Sequence, residues 1–223
     1  MQEVSPWILL GMAGIVALAL MIFAFAATGR LEKIPTTPLQ GFAELVVSSL
    51  NNYVVGIVGP DGGKYTPFIG TLFVYILGMN LLGLIPGLHS PTSNLSITAS
   101  VALVVFVYYN YVSIKVRGAK AWFMHLLGEP LWLCWLMFPI HVIGELARPL
   151  SLAIRLYGNI FGEETVMMVL AGMSLVIIPY FIAIPSQLLM MFFGVFTAFV
   201  QSLVFISLTA IYLGIGIADH EEH

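Results

Sequence analysis

The chain carries very little charge for its length. Only 9% of its 223 residues are Asp, Glu, Lys or Arg, against about a quarter in soluble domains, which excludes a water-soluble globule. The net charge of −3 leaves no clustered positive charge of the kind that a nucleic-acid binder requires. Cys134 is the single cysteine, which excludes an intrachain disulfide and a thiolate metal cluster. Because 60% of the residues are hydrophobic, the composition indicates an all-α membrane protein that crosses the bilayer several times.

Uncharged apolar stretches mark the expected membrane segments. A bilayer core about 30 Å thick needs about 20 helical residues to cross it. The sequence predicts straight transmembrane helices over 7–28, 65–88 and 97–116. In segment 38–58, apolar residues recur near the helical period opposite polar ones, which is typical of an amphipathic helix lying at the membrane interface.

The distribution of Lys and Arg predicts the orientation in the membrane. The N-terminal tail and the loop 89–96 contain no basic residue, whereas six follow the first and third spans. These six are Arg30, Lys33, Lys64, Lys115, Arg117 and Lys120. By the positive-inside rule, we expect the N-terminus outside and both these residues and the C-terminus in the cytoplasm.

The second half of the chain contains apolar segments that are too long for ordinary spans. These are segments 131–178 and 186–218, which few prolines or polar residues interrupt. As a helix at 1.5 Å per residue, the second would be roughly 50 Å long, which is far more than the thickness of the bilayer core. The sequence therefore predicts a hairpin of two long, strongly tilted membrane-embedded helices. Alternatively, Pro149 and Pro185 divide them into shorter spans and re-entrant pieces.

Polar and charged side chains are concentrated in the first of these long segments. Such groups are costly within a bilayer and are usually functional. They are His141, Glu145, Arg148, Arg155, Asn159, Glu163 and Glu164. Their spacing places all but Glu164 on one side of a helix. We call all seven residues, including Glu164, the charged stripe. Glu145 and Arg148 are three residues apart and can form a local ion pair, for which a purely structural role is the simpler interpretation.

Arg155 has no carboxylate among its near neighbours on the same helix face. A guanidinium cannot lose its proton to escape burial, so either water reaches it or an acid approaches from another helix. Ser151, Gly158 and Gly162 form a low surface beside it that permits close helix approach. That surface could pack against the second helix of the hairpin, but next to an unpaired arginine we expect a helix of another chain.

Four segments resemble a known family. Residues 147–159 resemble the signature of subunit a of the bacterial F-type rotary ATP synthase. Their sequence is Ala-Arg-Pro-Leu-Ser-Leu-Ala-Ile-Arg-Leu-Tyr-Gly-Asn. Residues 201–213 resemble the last-helix motif of that family, and 80–87 and 92–98 match two further segments. The similarity extends over about residues 38 to 214.

This resemblance implies a function. It implies a stator subunit in the bacterial inner membrane that is not catalytic alone and binds no nucleotide and no cofactor. Its partners would be the ring of c subunits, the peripheral stalk subunit b and the lipid bilayer. Two offset half-channels would carry protons to and from ring carboxylates. Arg155 corresponds to the family's essential arginine, which separates the paths, and Asn159, Glu164 and Gln201 correspond to residues that line them.

The sequence departs from the family pattern at three positions. Gly194 stands where many members carry an ionisable residue, and His141 stands where many carry Glu. Glu163 is an additional acid beside Glu164. We therefore expect Glu163 or His141 to replace the missing group, while Glu145 and Arg148 shape one mouth of the path together with His141.

Two other classes of protein fit the sequence less well. A secondary ion-coupled transporter usually has paired repeats and a substrate site at the membrane midplane, and neither is visible. An intramembrane metalloprotease needs the His-Glu-x-x-His zinc motif. Both His141-x-x-x-Glu145 and His220-Glu-Glu-His223 lack that spacing, so we expect no metal site.

Overall fold

The chain is built from helices. A computed structural model describes residues 5–29, 38–85, 88–127, 134–177 and 180–218. These ranges contain seven α-helices, two short 3-10 turns and no strand, which confirms the all-α fold class. The helices are α1 (Pro6–Thr28), α2 (Pro38–Val58), α3 (Thr66–Leu82), α4 (Leu95–Arg117), α5 (Ala119–Leu127), α6 (Cys134–Ile177) and α7 (Tyr180–Ala218), and the turns are Pro60–Lys64 and Pro91–Ser93.

Local sequence signals explain several helix ends. Pro6 occupies the first turn of α1, where a missing N–H costs no hydrogen bond. The Asn94 side chain caps α4 by accepting a hydrogen bond from the Ser96 backbone N–H at 2.9 Å. Gly118 ends α4 with φ of 84°, a backbone conformation that favours glycine. The nine-residue α5 follows at once and is not among the predicted elements.

Among the described residues, five helices are long and apolar enough to cross a membrane. They are the stretches Trp7–Thr28, Pro38–Val58, Leu95–Arg117, Trp135–Val166 and Met191–Ile217. The second of these is α2, and its predicted interfacial position stays a prediction. Helix α3 is apolar but has only 17 residues, so it ends before the predicted boundary at residue 88. Gly83 follows the helix, and there the chain folds back closely: a Cβ on Gly83 would lie 2.6 Å from the Ser90 Cβ.

The two long helices of the second half are continuous. Helix α6 has 44 residues and contains Pro139 and Pro149, and α7 has 39 residues and begins at Tyr180 rather than at 186. Prolines therefore do not divide the segments, contrary to the alternative expectation. A proline removes one backbone hydrogen bond and bends a helix. In an apolar segment the remaining backbone groups still satisfy each other best in a helix.

A buried core holds α3, α4, α6 and α7 together. Ten of its described side chains are at most 1% exposed, among them Ile76 and Met79 of α3, Ala102 of α4, Leu156 of α6 and Phe205 of α7. Helix α2 is attached to α7 by a hydrogen bond of 2.6 Å between the hydroxyl groups of Tyr53 and Ser207. This packing fixes which face of α6 points inward.

One end of the bundle carries basic side chains, and we call it the basic end. There the Arg117 Nε donates a hydrogen bond to the Gly216 carbonyl of α7 at 2.6 Å. The end of α2 lies beside the same part of α7, since a Cβ on Gly214 would lie 3.8 Å from the Ile57 carbonyl oxygen. The turn that contains Lys64 follows α2 directly. Lys64 and Arg117 therefore share one end of the bundle.

The opposite end is formed by the loop between α3 and α4, and we call it the loop end. The Ser90 hydroxyl donates a hydrogen bond to the Met79 carbonyl at 3.1 Å and shares another with the Thr92 hydroxyl at 2.6 Å. The Thr92 hydroxyl oxygen is in turn 2.8 Å from the Asn80 side-chain oxygen. This buried network fixes the loop on the end of α3.

Candidate functional site

Helix α6 turns Arg155 away from the core. The neighbouring Leu152 and Leu156 are 2% and 0% exposed, whereas Arg155 is exposed. Within the described part of the chain, the Arg155 side chain forms no ion pair and no hydrogen bond. The guanidinium therefore lies on an apolar helix without an anion from these residues.

The surface beside Arg155 is open. A Cβ on Gly158 or on Gly162 would meet no described atom within 4 Å, and Ser151 is exposed. The described residues of α7 do not fill this surface, so the alternative of packing against the second hairpin helix does not account for it. Arg155 and the small residues together present a flat face with one positive charge.

The hairpin brings two predicted site residues into contact. The Asn159 side-chain N–H donates a hydrogen bond to the Gln201 side-chain oxygen at 2.5 Å, and Gln201 is only 4% exposed. This amide pair lies one helical turn from Arg155 on α6. It joins the open face to the interior between α6 and α7.

Glu163 lies against Gly194. A Cβ on the buried Gly194 would collide with Glu163 Oε1 and with the end of Leu84. The Glu163 carboxylate therefore occupies the space into which a side chain at position 194 would extend. Its second oxygen, Oε2, is buried and has no hydrogen-bond partner within the part of the chain that the structure describes. Because Asn159 meets Gln201 while Glu163 meets Gly194, α6 and α7 are antiparallel.

Glu164 points toward the loop end. Its carboxylate lies near Ser90, Ser93 and His89 of the loop between α3 and α4. This places Glu164 beside the hydrogen-bonded network of Ser90 and Thr92. Sequence spacing does not predict that the loop between α3 and α4 belongs to the site, because its polar residues are far from the charged stripe in sequence.

The other end of the charged stripe is close to the basic end. Arg148 Nη1 and Glu145 Oε1 form an ion pair at 3.1 Å, with side chains 27% and 17% exposed. His141 lies one helical turn before Glu145 and is half-buried. The stripe thus extends along α6 from Glu164 at the loop end, past Arg155, to these residues.

Two aromatic side chains that the sequence analysis missed surround Arg148. The Arg148 Cζ lies 5.3 Å from the ring centroid of Tyr212 and 5.8 Å from that of Tyr109. Tyr109 belongs to α4 and Tyr212 to α7. Both tyrosines lie in apolar runs, so no spacing within one helix marks them as neighbours of Arg148.

Comparison with known proteins gives the same family as the motifs. The family model described as ATP synthase A chain matches residues 9–214. ATP synthase subunit a 1 of Pelobacter propionicus is 41% identical over 199 residues, covering 89% of this chain and 82% of the relative. ATP synthase subunit a of Aliarcobacter butzleri is 39% identical over 221 residues, covering 98% and 93%. That of Protochlamydia amoebophila is 37% identical over 220 residues, covering 95% and 81%. These matches include the membrane helices and the whole charged stripe, and the chain belongs to the ATP synthase A chain family.

Proposed function

We propose that this chain is the ion-conducting stator subunit of a rotary ATP synthase in a bacterial inner membrane. It would provide two offset half-channels for protons that travel to and from the carboxylates of a c-subunit ring. The peripheral stalk subunit b would hold it still within the lipid bilayer while the ring turns. The observation that carries this proposal is Arg155, exposed on a flat face and without an anion from the described residues.

Arg155 would act on each ring carboxylate as it passes. A nearby cation favours the ionised form of a carboxylate, so a ring acid that reaches Arg155 releases its proton. A fixed positive charge also repels protons, which prevents a direct leak from one half-channel to the other. Both effects require a permanent charge at this place, and a guanidinium supplies it.

The outer half-channel would extend from the loop end to Arg155. Glu164 lies beside Ser90 and Ser93 at its entrance, and the Asn159–Gln201 amide pair lies next to Arg155. Glu163 would supply the ionisable group that position 194 lacks, since its carboxylate already fills the space beside Gly194.

The inner half-channel would open at the basic end, near Glu145, Arg148 and His141. Lys64 and Arg117 lie at that end, so by the positive-inside rule we expect it in the cytoplasm, and we expect the N-terminus, whose tail carries no basic residue, outside. A charge that crosses the membrane potential releases about 2.3 kcal/mol per 100 mV, so several protons must pass for each ATP. Because the two half-channels are offset, proton flow turns the ring in one direction.

The chain has no P-loop motif, so nucleotide chemistry belongs to another subunit.

Proton conduction with and without the ring tests this function against that of a secondary transporter. Liposomes that contain this chain alone should conduct no more protons than empty liposomes, because each half-channel ends at the midplane. Liposomes with the assembled membrane sector should conduct protons when a potassium diffusion potential is applied. A pH-sensitive dye trapped inside reports the rate. Conduction by the chain alone at the rate of the assembled sector would favour the transporter.

A double variant tests the assignment of Glu163 and His141. Removal of both titratable groups, with Glu163→Gln and His141→Ala, should slow proton conduction by about tenfold or more, as expected for the loss of a positioned proton carrier. Glu44→Gln is a matched control, because Glu44 is an exposed acid of α2 that accepts a hydrogen bond from Gln40 at 2.7 Å. Unchanged proton flow in the double variant would remove both residues from the path.

A further inference from the structure

Arg148 lies where α4, α6 and α7 meet, between two tyrosine rings. We propose that Tyr109 and Tyr212 are positioning residues. Their rings hold the Arg148 guanidinium on Glu145, so that Arg155 is the arginine of the charged stripe that is available to a ring carboxylate. This inference rests on the proposed stator function and adds to it two residues from other helices.

The geometry of the two rings suits a bound cation. Both ring centroids lie within 6 Å of Arg148 Cζ, at 5.3 Å for Tyr212 and 5.8 Å for Tyr109. The rings contact each other at a centroid distance of 6.3 Å with an interplanar angle of 45°. Tyr109 is 3% exposed. A guanidinium is attracted to the faces of aromatic rings, and more strongly where water is excluded.

The ion pair with Glu145 does not fix Arg148 by itself. It joins Nη1 to Oε1 at 3.1 Å, whereas Glu145 Oε2 is buried and lacks a hydrogen-bond partner among the described residues. A pair through one oxygen leaves the guanidinium able to rotate, unlike a bidentate pair. The tyrosine rings supply the remaining constraint.

This constraint matters because the two arginines are alike in position. They are seven residues apart, so they lie about 10 Å from each other along the same side of α6. A released Arg148 could bind the ring carboxylate two turns away from Arg155. The ring acid would then have two cationic partners, and transfer past Arg155 would slow.

Substitution of Tyr212 tests the role of the ring face. In vesicles with the assembled complex, Tyr212→Leu should lower gradient-driven ATP synthesis by about fivefold, the effect of losing one cation–π contact. Tyr212→Phe keeps the ring face and should remain within about twofold of wild type. At Tyr109, the Leu variant should likewise synthesise ATP more slowly than the Phe variant. Tyr111→Leu is the control, since Tyr111 is a tyrosine of α4 that is 59% exposed.

A double-mutant cycle separates positioning from packing. If the rings act through Arg148, Tyr212→Leu should cause no further loss when Arg148 is already Gln, whereas a loss of packing would add to it. Three results would each overturn the inference: wild-type synthesis in the Leu variants, a Phe variant as slow as Leu, or an undiminished loss in the Arg148→Gln background. Arg155→Ala in the same vesicles tests the stator function separately. Loss of synthesis there, combined with any of the three results, would remove only the role of the tyrosines.

Discussion

Replacement of Arg155 by Ala should abolish ATP synthesis driven by a proton gradient while the complex still assembles. Its side chain forms no ion pair or hydrogen bond within the described residues, so its loss should hardly affect folding. The ring carboxylate would lose its only cationic partner at the crossing point. Removal of one preorganised charge at a reaction centre typically costs about a hundredfold or more in rate. We therefore expect synthesis at least that far below wild type.

The measurement needs a conservative variant and a control. Arg155→Lys should also fail largely, because an ammonium lacks the planar fork of the guanidinium and can lose its proton when buried. Lys115→Ala is the control, since Lys115 is an exposed basic residue outside the charged stripe. Synthesis is measured in vesicles under an imposed gradient, and the amount of assembled complex by immunoblot. Near wild-type synthesis in the Ala variant would refute the role of Arg155.

The sequence predicts the long helices well because their signal lies within one segment. A mainly apolar run that is longer than the bilayer is thick predicts a long helix regardless of what packs on it. The end of α3 is different, because apolar residues continue beyond Leu82 and no hydropathy change marks it. At that end the returning loop brings Ser90 close to Gly83, a contact between segments that hydropathy does not reveal. Helix α5, with nine residues, is too short for a hydropathy signal.

The candidate site, like the fold, has one part that the sequence predicts and one part that it does not. The charged stripe follows from spacing along α6 alone, since residues three, four and seven apart share a helix face. Contacts between helices depend on how α6 and α7 are aligned, which no spacing within one helix determines. The fit of Glu163 beside Gly194 and the tyrosines around Arg148 are of this second kind. Only the resemblance to a family indicated that Gln201 of α7 lines the proton path together with residues of α6.

The open surface beside Arg155 leads to a second large expected effect. Gly158→Leu should lower ATP synthesis by about tenfold or more, although the described residues leave open space at the Cβ position of Gly158. A Cβ at this position meets no described atom within 4 Å, so we expect the leucine to obstruct a partner rather than the described part of this chain. Overpacking of a close interface typically costs about 1–3 kcal/mol, and a turning ring would meet that obstacle at every step.

Gly11→Leu provides the matched control for this substitution. Gly11 is also exposed on an apolar helix with nothing described within 4 Å of its Cβ position, but it lies on α1, which does not carry the charged stripe. Both variants should insert and accumulate equally, and only Gly158→Leu should slow synthesis and ATP-driven proton pumping in the same vesicles. Equal rates in the two variants would mean that only lipid covers the surface at Gly158. In the proposed assembly, a ring that turns against α6 would have to come close enough to Arg155 to exchange protons there, and at that distance a leucine at position 158 would obstruct it.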